Sequence, residues 1–347
     1  MKNNSLTLLL VLKGRHDFTD RWLKYANLYL NDYKILIADG NELNDKYIYD
    51  KLKFPNLEVE IPKFPHDQSI ELFIRKIRNS LDYIDTKYIL YCENDDFMLP
   101  DETKNVLEFL EKNDDYVSAR GEIFNFSISS INEVYGKIIQ FNRFYNFLDL
   151  NETDVIKRIK TFAKNRHGLF HNIMKCTAFK EVTSTVIENK FFDLVIFQYF
   201  WSFSLPTIGK VHCTKNLYMM HQDHASMMSR NSNIMRFDKS LFYNEEKFNN
   251  FFSALANSIS SRHNIELDDL EFKLLNMFSY NELLNIIKSN GENHNERNQT
   301  IKKLLIKLIR KNRLSNYFLN FKKRRSVDYK IKNSLNLKII QNFLLKE

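Results

Sequence analysis

The sequence is poor in glycine. Its 347 residues include seven glycines, about 2% where roughly 7% is typical, and no two of them lie within one turn of chain. The phosphate loops of Walker ATPases and of Rossmann dehydrogenases need several glycines within a single turn. Both classes of protein are therefore excluded.

Cysteines and long apolar runs are also scarce. The three cysteines, Cys92, Cys176 and Cys213, lie far apart and form no C-x-x-C pair, so neither a disulfide framework nor a structural zinc site is predicted. No apolar run approaches the ~18 residues needed to span a bilayer. Residues 1–5 lack the pattern of a signal peptide. We expect a cytoplasmic protein in a reducing compartment.

Acidic residues are nearly absent from the last part of the sequence. Residues 297–347 contain fifteen basic and two acidic residues, a net charge of +13, which leaves −5 for the remaining residues of a chain whose total is +8. Within this basic tail, residues 301–311 combine an apolar stripe at helical spacing with lysine and arginine on the other faces. We expect a basic amphipathic helix that binds an anionic membrane surface. A helix packed on the rest of the protein and a nucleic-acid-binding helix are the alternatives, with nucleic acid the less favoured partner.

Apolar runs alternate with helical patterns through the first 230 residues. The predicted strands are Leu6–Leu12, Tyr33–Ala38, Leu57–Ile61 and Tyr88–Cys92. Such alternation predicts an α/β protein with a sheet flanked by helices. We divide the chain into a first domain over 1–230, a mostly helical region over 231–296 and the basic tail over 297–347.

Acidic residues follow two of the predicted strands. Asp39 closes the second strand, and Glu93, Asp95 and Asp96 come directly after Tyr88–Cys92. In open α/β sheets, ligands bind beyond the carboxyl ends of the strands. Carboxylates at such a place suit Mg²⁺ or Mn²⁺ together with substrate phosphates. The alternative is an ordinary polar loop before the next helix.

Four segments of the sequence, in order, resemble motifs of the family 2 glycosyltransferases. They are the opening strand and turn Leu6–Arg15, the second strand with its Asp-Gly end Ile35–Asn41, the Arg-Asn of Ile77–Asn79, and the D-x-D-like segment with its aromatic-x-x-Pro exit Tyr88–Pro100. The resemblance covers about residues 5–230. It implies a GT-A-like Rossmannoid mixed sheet that binds a nucleotide sugar at the strand ends.

The same resemblance implies roles for individual residues. Those implied to bind the nucleotide sugar are Arg15, Asp39, Arg78 and Glu93, and those implied to bind Mn²⁺ or Mg²⁺ are Asp95, Asp96 and His221. Asp39 would hold the base or the ribose. The sequence departs from the family at Glu93, where aspartate is usual, and this longer side chain bears on the choice of metal.

Asp193 and three histidines complete the set of candidates. Phe191-Phe192-Asp193, before a helical run, resembles the Glu-Asp that faces the acceptor, which implies that Asp193 is the base of an inverting reaction. An ordinary helix N-cap is the alternative. The acceptor-side candidates are His167, His171 and His224.

Together these features predict a metal-dependent glycosyltransferase. It would move a sugar from a nucleotide donor to a surface glycan such as lipopolysaccharide or capsule, as a peripheral protein on the inner face of the cytoplasmic membrane. The alternatives are a nucleic-acid- or membrane-associated protein acting through the basic tail, and a transferase fold that has lost catalysis. A nucleotidyltransferase is disfavoured, because the loop at Lys13-Gly14-Arg15 is too sparse for a triphosphate.

Overall fold

The computed structural model describes residues 5–129, 133–143, 149–165, 168–225, 245–267, 270, 274 and 335–345. The named strands within them are β1 Leu6–Leu12, β2 Lys34–Asp39, β3 Glu58–Glu60, β4 Tyr88–Cys92, β5 Asp96–Met98, β6 Tyr116–Ile128, β7 Ile138–Arg143, β8 Ile173–Lys175 and β9 Lys210–Gln222. The named α-helices are α1 His16–Tyr29, α2 Ile70–Ser80, α3 Pro100–Lys112, α4 Val155–Asn165, α5 Cys176–Glu188, α6 Leu194–Ile208, α7 Glu245–His263 and α8 Leu335–Leu345. None of the described helices is both long and apolar enough to cross a membrane.

The nine strands form one mixed sheet in the order β3-β2-β1-β4-β8-β6-β9-β5, with β7 paired to β6. Strands β3, β2, β1 and β4 are parallel to one another. The short strand β8 runs antiparallel to both β4 and β6, and β5 runs antiparallel to β9. The predicted α/β architecture, a mixed sheet flanked by helices, is confirmed and is consistent with a GT-A-like fold.

The central strands coincide with the continuous apolar runs of the sequence. Every residue of β1 and of β4 is buried, as expected for parallel strands covered by helices on both faces. Side chains of β1 alternate between two hydrophobic cores: Leu9 and Val11 enter one, and Leu8 and Leu10 enter the other. The sheet therefore separates two layers of helices.

Helices from the later parts of the chain lie on opposite faces of the sheet. Phe251 of α7 is buried in the core that also holds Trp201 of α6 and Phe179 of α5. Ile340 of α8 is buried in the other core, together with Trp22 of α1. Residues 301–311, where a basic amphipathic helix is predicted, and His167 lie outside the described residues, and the three-part division stays a prediction.

The strand directions bring several chain segments to one edge of the sheet. Strands β1, β2, β4, β6 and β9 all end there, whereas the antiparallel strands β5 and β8 begin there. We call this side the carboxyl edge. Residues before β8 and after β4 thus lie side by side, although they are far apart in the sequence.

Candidate functional site

The turn between β4 and β5 presents the predicted acids at the carboxyl edge. Asp95 and Asp96 are buried, whereas Glu93 is partly exposed. The amide of Asp96 donates to the carbonyl oxygen of Glu93 (3.3 Å) and closes the turn. Asn94 faces the other way, since its amide donates to the carbonyl of Arg15 and to the hydroxyl of Thr19 at the start of α1. Asn94 thereby fixes the start of α1 against the acidic turn.

Asp95 is held by two cationic or donor groups. Its Oδ2 accepts hydrogen bonds from Arg15 Nη1 (2.9 Å) and His224 Nε2 (2.7 Å). Burial alone would raise the pKa of Asp95, but the bond from His224 and the charge of Arg15 outweigh it and hold this pKa below its usual range. Arg15 reaches the carboxylate from the N-cap of α1, where its backbone is left-handed with φ of 58°.

Asp96 lies between two buried histidines. Its Oδ1 accepts a hydrogen bond from His221 Nδ1 (2.6 Å), and its Oδ2 lies 3.5 Å from His171 Nδ1. One potential ligand atom from each of the three residues lies within 4.8 Å of the other two. We call Asp96, His171 and His221 the metal cluster. Its geometry can hold a metal ion.

The chain itself leaves part of this cluster unsatisfied. Among the described residues, Asp96 Oδ2, both ring nitrogens of His171 and Asp95 Oδ1 are buried without a hydrogen-bond partner. A buried polar group left in this state costs about 1–3 kcal/mol. Imidazoles are common ligands of divalent transition metals, and the carboxylate is the ligand in this set that suits Mn²⁺. The residues present therefore fit a divalent cation.

Burial and charge set the protonation of the cluster. Burial, followed by the charges of Asp95 and Asp96, raises the pKa of Glu93 to about 8. Burial also lowers the pKa of His171 well below its ordinary value, so this ring is neutral and has a lone pair to offer. Burial lowers the pKa of His221, but the charge of Asp96 and its hydrogen bond outweigh burial and raise this pKa to about 9. His171 is therefore the member of the cluster whose ring needs to lose no proton before it binds a cation.

The structure brings together some of the predicted metal ligands. Asp96 and His221 are in direct contact, and His171, predicted on the acceptor side, is the third member of their cluster. Asp95 adjoins them in the sequence but pairs with Arg15 and His224. His224, also an acceptor-side candidate, therefore contacts Asp95, and the predicted role of neither histidine is tested by these contacts.

Asp39 organises the loop that follows β2. Its Oδ1 accepts a hydrogen bond from the amide of Asn41 (2.8 Å) and its Oδ2 one from the amide of Tyr47 (2.7 Å). Both carboxylate oxygens are thus engaged with the backbone. These bonds show that Asp39 orders the loop at the carboxyl edge, and its contact with a nucleotide stays a prediction.

A buried ion pair lies beneath this loop. Lys76 of α2 donates to Asp67 Oδ2 (2.6 Å) and to the carbonyl of Leu12 at the end of β1 (3.0 Å). The amide of Asp67 donates in turn to the carbonyl of Gly40 (2.9 Å). A Cβ atom at Gly40 would lie 1.9 Å from Asp67 Oδ2, so only glycine fits there. We call Asp39, Asp67 and Lys76 the lysine cluster.

Arg78 lies at the opposite edge of the sheet. It is near the C-terminal end of α2, where Nη1 donates to Asp82 Oδ1 and Nε donates to Ser184 Oγ on α5 (both 2.9 Å). Helix α2 runs from the carboxyl edge back toward the start of β4, so its end is remote from the acids. The structure does not bring Arg78 to the other predicted donor-binding residues.

Asp193 is the N-cap of α6. Its Oδ1 accepts hydrogen bonds from the amides of Val195 (2.9 Å) and Ile196 (3.0 Å). Helix α6 ends beside the start of β6, where the amide of Lys210 donates to the carbonyl of Asp115 (3.0 Å). Fifteen helical residues span about 22 Å, so the start of α6 lies toward the carboxyl edge. Within the described part of the chain, Asp193 makes no hydrogen bond to the acidic turn.

Sequence reasoning missed two buried cations near the site. Lys76 and Arg21 both occupy positions on the apolar stripe of their helices, Lys76 between Phe73 and Ile77 and Arg21 beside Trp22. Arg21 Nη1 donates to the carbonyl of Val134 (2.6 Å) and to Gln222 Oε1 (2.7 Å). Burial lowers its pKa to about 10, against the charge of Asp95. A basic residue on the apolar stripe of a predicted helix was the sequence signal that could have identified both buried cations.

Comparisons with known proteins give a weak structural likeness. No family model and no curated protein matches the sequence. The chain is similar to the crystal structure of S. aureus TarS 1–349, with a TM-score of 0.41 and 9% identity over 80% of this chain and 90% of that one. The complex of the same region with UDP gives a TM-score of 0.45 and 9% identity over 85% of this chain and 77% of that one. The complex with UDP-GlcNAc gives a TM-score of 0.41 and 10% identity over 74% of this chain and 66% of that one. Likenesses of this size assign neither an activity nor a ligand to the chain.

Proposed function

We propose that this protein transfers a sugar from a nucleotide-sugar donor to a surface-glycan acceptor and uses Mn²⁺ or Mg²⁺ in doing so. The observation that carries this proposal is the unsatisfied metal cluster at the carboxyl edge. Asp96 Oδ2 and both nitrogens of His171 are buried there without a hydrogen-bond partner among the described residues. Open α/β sheets bind their ligands at this edge.

Asp96, His171 and His221 would hold the cation. Three protein ligands leave coordination positions for water and for the oxygens of a diphosphate. A divalent cation bound by these residues would supply positive charge to a departing nucleoside diphosphate. Asp95 has one oxygen engaged by Arg15 and His224, and its buried Oδ1 remains available to the same ligand shell.

Arg15 and Glu93 are proposed to contact the donor directly. The Arg15 side chain is 29% exposed while one of its nitrogens bonds Asp95, so the rest of its guanidinium can donate to phosphate oxygens. Glu93 is the partly exposed acid of the turn and is proposed to accept a hydrogen bond from the donor's ribose. Asp39 would shape the base pocket through the loop that it orders.

Asp193 is proposed as the base that removes the proton from the acceptor hydroxyl. Its two N-cap hydrogen bonds both end on Oδ1, and it lies in a partly exposed position at the start of α6. Oδ2 can therefore accept a proton without loss of the cap. His224 and His171 then serve Asp95 and the cation respectively, and His167 stays an acceptor-side candidate.

The basic tail supports a location at the cytoplasmic membrane. A net charge of +13 over residues 297–347 attracts an anionic surface, at about 1 kcal/mol for each basic residue near it. A lipid-linked glycan acceptor would be presented at that surface. Nucleic acid attracts the same charge and is the second candidate, which salt-sensitive binding to duplex DNA without binding to anionic vesicles would favour.

A donor panel tests the proposed activity. The full-length protein is incubated with UDP-, GDP-, dTDP- and CMP-sugars, with Mn²⁺, Mg²⁺ or EDTA, and nucleotide release is measured. We expect release from one donor, abolished by EDTA and lowered on the order of a hundredfold in Asp96→Asn. Asp101→Asn, an exposed acid at the start of α3, is the matched control and should leave release unchanged. Release that is indifferent to EDTA and to Asp96→Asn contradicts the proposal, as does failure to bind any of these donors.

A further inference from the structure

Helix α8 packs beside the carboxyl edge. Its buried residues Leu337, Ile340, Phe343 and Leu344 form a stripe at helical spacing, while Lys338 and Asn342 face outward. The buried stripe belongs to the hydrophobic core that also contains Phe97 of β5. This helix comes from the basic tail, but the part that is described is apolar and integrated into the sheet domain.

The first connection from α8 to the metal cluster runs through β5. The ring of Phe343 lies 5.3 Å from that of Tyr25 and 5.9 Å from that of Phe97. The Tyr25 hydroxyl donates to the carbonyl of Met98 (2.7 Å). Strand β5 has three residues and pairs only with β9 in the described sheet, so few backbone bonds hold it and its side-chain packing matters more. Asp96 is the first residue of that strand.

The second connection runs through residues 133–136. The amide of Gly136 donates to the carbonyl of Leu344 (3.0 Å), which joins this segment to α8. The carbonyl of Glu133 accepts from Gln222 Nε2 (2.6 Å). The Glu133 carboxylate accepts from the amide of Ala225 (2.9 Å). Gln222 and Ala225 directly follow His221 and His224.

Both connections lead from α8 to the paired residues Asp96 of β5 and His221 of β9. We infer that helix α8 is a positioning element for the metal cluster, with Phe343 and Leu344 as positioning residues that fix β5 and the end of β9 relative to each other. Phe343 acts on Asp96 through its packing against Phe97 of β5. Leu344 acts on His221 through its hydrogen bond to Gly136, in the segment that binds Gln222. The inference rests on the proposed function only for what the cluster binds, because the positioning itself is a property of the chain.

Amide hydrogen exchange on the metal-free, full-length protein tests the positioning. Phe343→Ala should speed exchange by on the order of tenfold in residues 96–98 and 219–225. Phe251→Ala removes a buried ring of α7 from the opposite face and is the control for a general loss of stability. Asn342→Ala, on the outward face of α8, should change nothing. Equal acceleration of both segments in Phe251→Ala and Phe343→Ala, or none in Phe343→Ala, overturns the inference.

A second readout is the affinity for Mn²⁺ alone, followed by electron paramagnetic resonance. Phe343→Ala should bind Mn²⁺ on the order of tenfold more weakly, Phe343→Leu should recover most of that loss, and Phe251→Ala should bind as the parent protein does. Parent-like binding by Phe343→Ala overturns the inference. A parent protein that binds neither Mn²⁺ nor any donor instead sinks the proposed function, while the exchange experiment still decides the role of α8.

Discussion

The lysine cluster and the metal cluster lie at the same edge of the sheet and differ in how far the chain satisfies them. In the lysine cluster, both oxygens of Asp39 accept backbone hydrogen bonds and Lys76 bonds to Asp67 and Leu12. In the metal cluster, both nitrogens of His171 are buried without a hydrogen-bond partner among the described residues. Within the described residues, Asp67 Oδ1 is the one carboxylate oxygen of the lysine cluster that is buried without a hydrogen-bond partner, whereas the metal cluster has three such atoms, Asp96 Oδ2 and both His171 nitrogens. We therefore interpret the lysine cluster as structural, because it fixes the loops at this edge, and the metal cluster as a candidate ligand site.

The largest effect should come from breaking the ion pair of the lysine cluster. Lys76→Met leaves Asp67 as a buried charge without its partner, which should lower the free energy of unfolding by about 3–5 kcal/mol in urea titrations. Arg75→Met, on the exposed side of the same helix, removes a half-exposed pair with Glu71 and should cost less than about 1 kcal/mol. Equal effects of the two variants would show that Lys76 is not the structural cation described above.

The next effect is stabilisation of the metal cluster by its ligand. Mn²⁺ at a hundred times its dissociation constant should raise the free energy of unfolding by about 2.7 kcal/mol, because only the folded chain assembles the site. Thermal melts with Mn²⁺ and with EDTA measure the difference. Asp96→Asn should abolish it, and Asp101→Asn should retain it. If Mn²⁺ still raised the melting temperature of Asp96→Asn, the cation would have to bind outside the metal cluster.

A smaller effect should follow the removal of a single imidazole. His171→Leu takes away two nitrogens that have no hydrogen-bond partner among the described residues, so the metal-free protein should keep its stability. Mn²⁺ should bind on the order of tenfold more weakly, as measured by calorimetry. His212→Leu is the matched control, since His212 is near the start of β9 and pairs with Asp149. Unchanged affinity in His171→Leu would remove this residue from the site.

The smallest effect should come from Arg78. Because it bonds to Asp82 and Ser184 at the opposite edge, Arg78→Ala should alter the free energy of unfolding by less than about 1 kcal/mol and leave the KM for the donor within about twofold. Arg15→Ala, in contrast, should raise that KM on the order of tenfold. A larger rise in KM for Arg78→Ala than for Arg15→Ala would contradict this expectation and support the donor-binding role that the resemblance implies for Arg78.

The sequence predicted the centre of the fold, and it singled out Asp96 and His221, two of the three residues of the metal cluster, as candidate ligands, a role that stays a prediction. Strands β1 and β4 are continuous apolar runs, and local pattern alone gives their bounds, as it gives the acids that follow them. The position of His171 next to Asp96 could not be predicted, because it depends on β8, a strand of three residues that inserts antiparallel beside β4. That pairing brings His171, two residues before β8, to Asp96, four residues after β4. No local pattern reports a contact of this kind.

Arg78 shows that a local motif does not determine where a residue lies in the fold. Its Arg-Asn string resembles a family motif, but a short string does not state which end of a helix faces the ligand. The structure places Arg78 near the C-terminal end of α2, bonded to Asp82, and its role in donor binding stays a prediction. Lys76, two residues earlier on the same helix, is the cation that reaches the carboxyl edge.

Crystals of the full-length protein soaked with Mn²⁺ and a nucleoside diphosphate test the central claim most directly, through the anomalous scattering of the metal. We expect one strong peak between an Asp96 oxygen and nitrogens of His171 and His221, within reach of the diphosphate oxygens. A peak elsewhere, or no peak at this cluster while the nucleotide is bound, would contradict it.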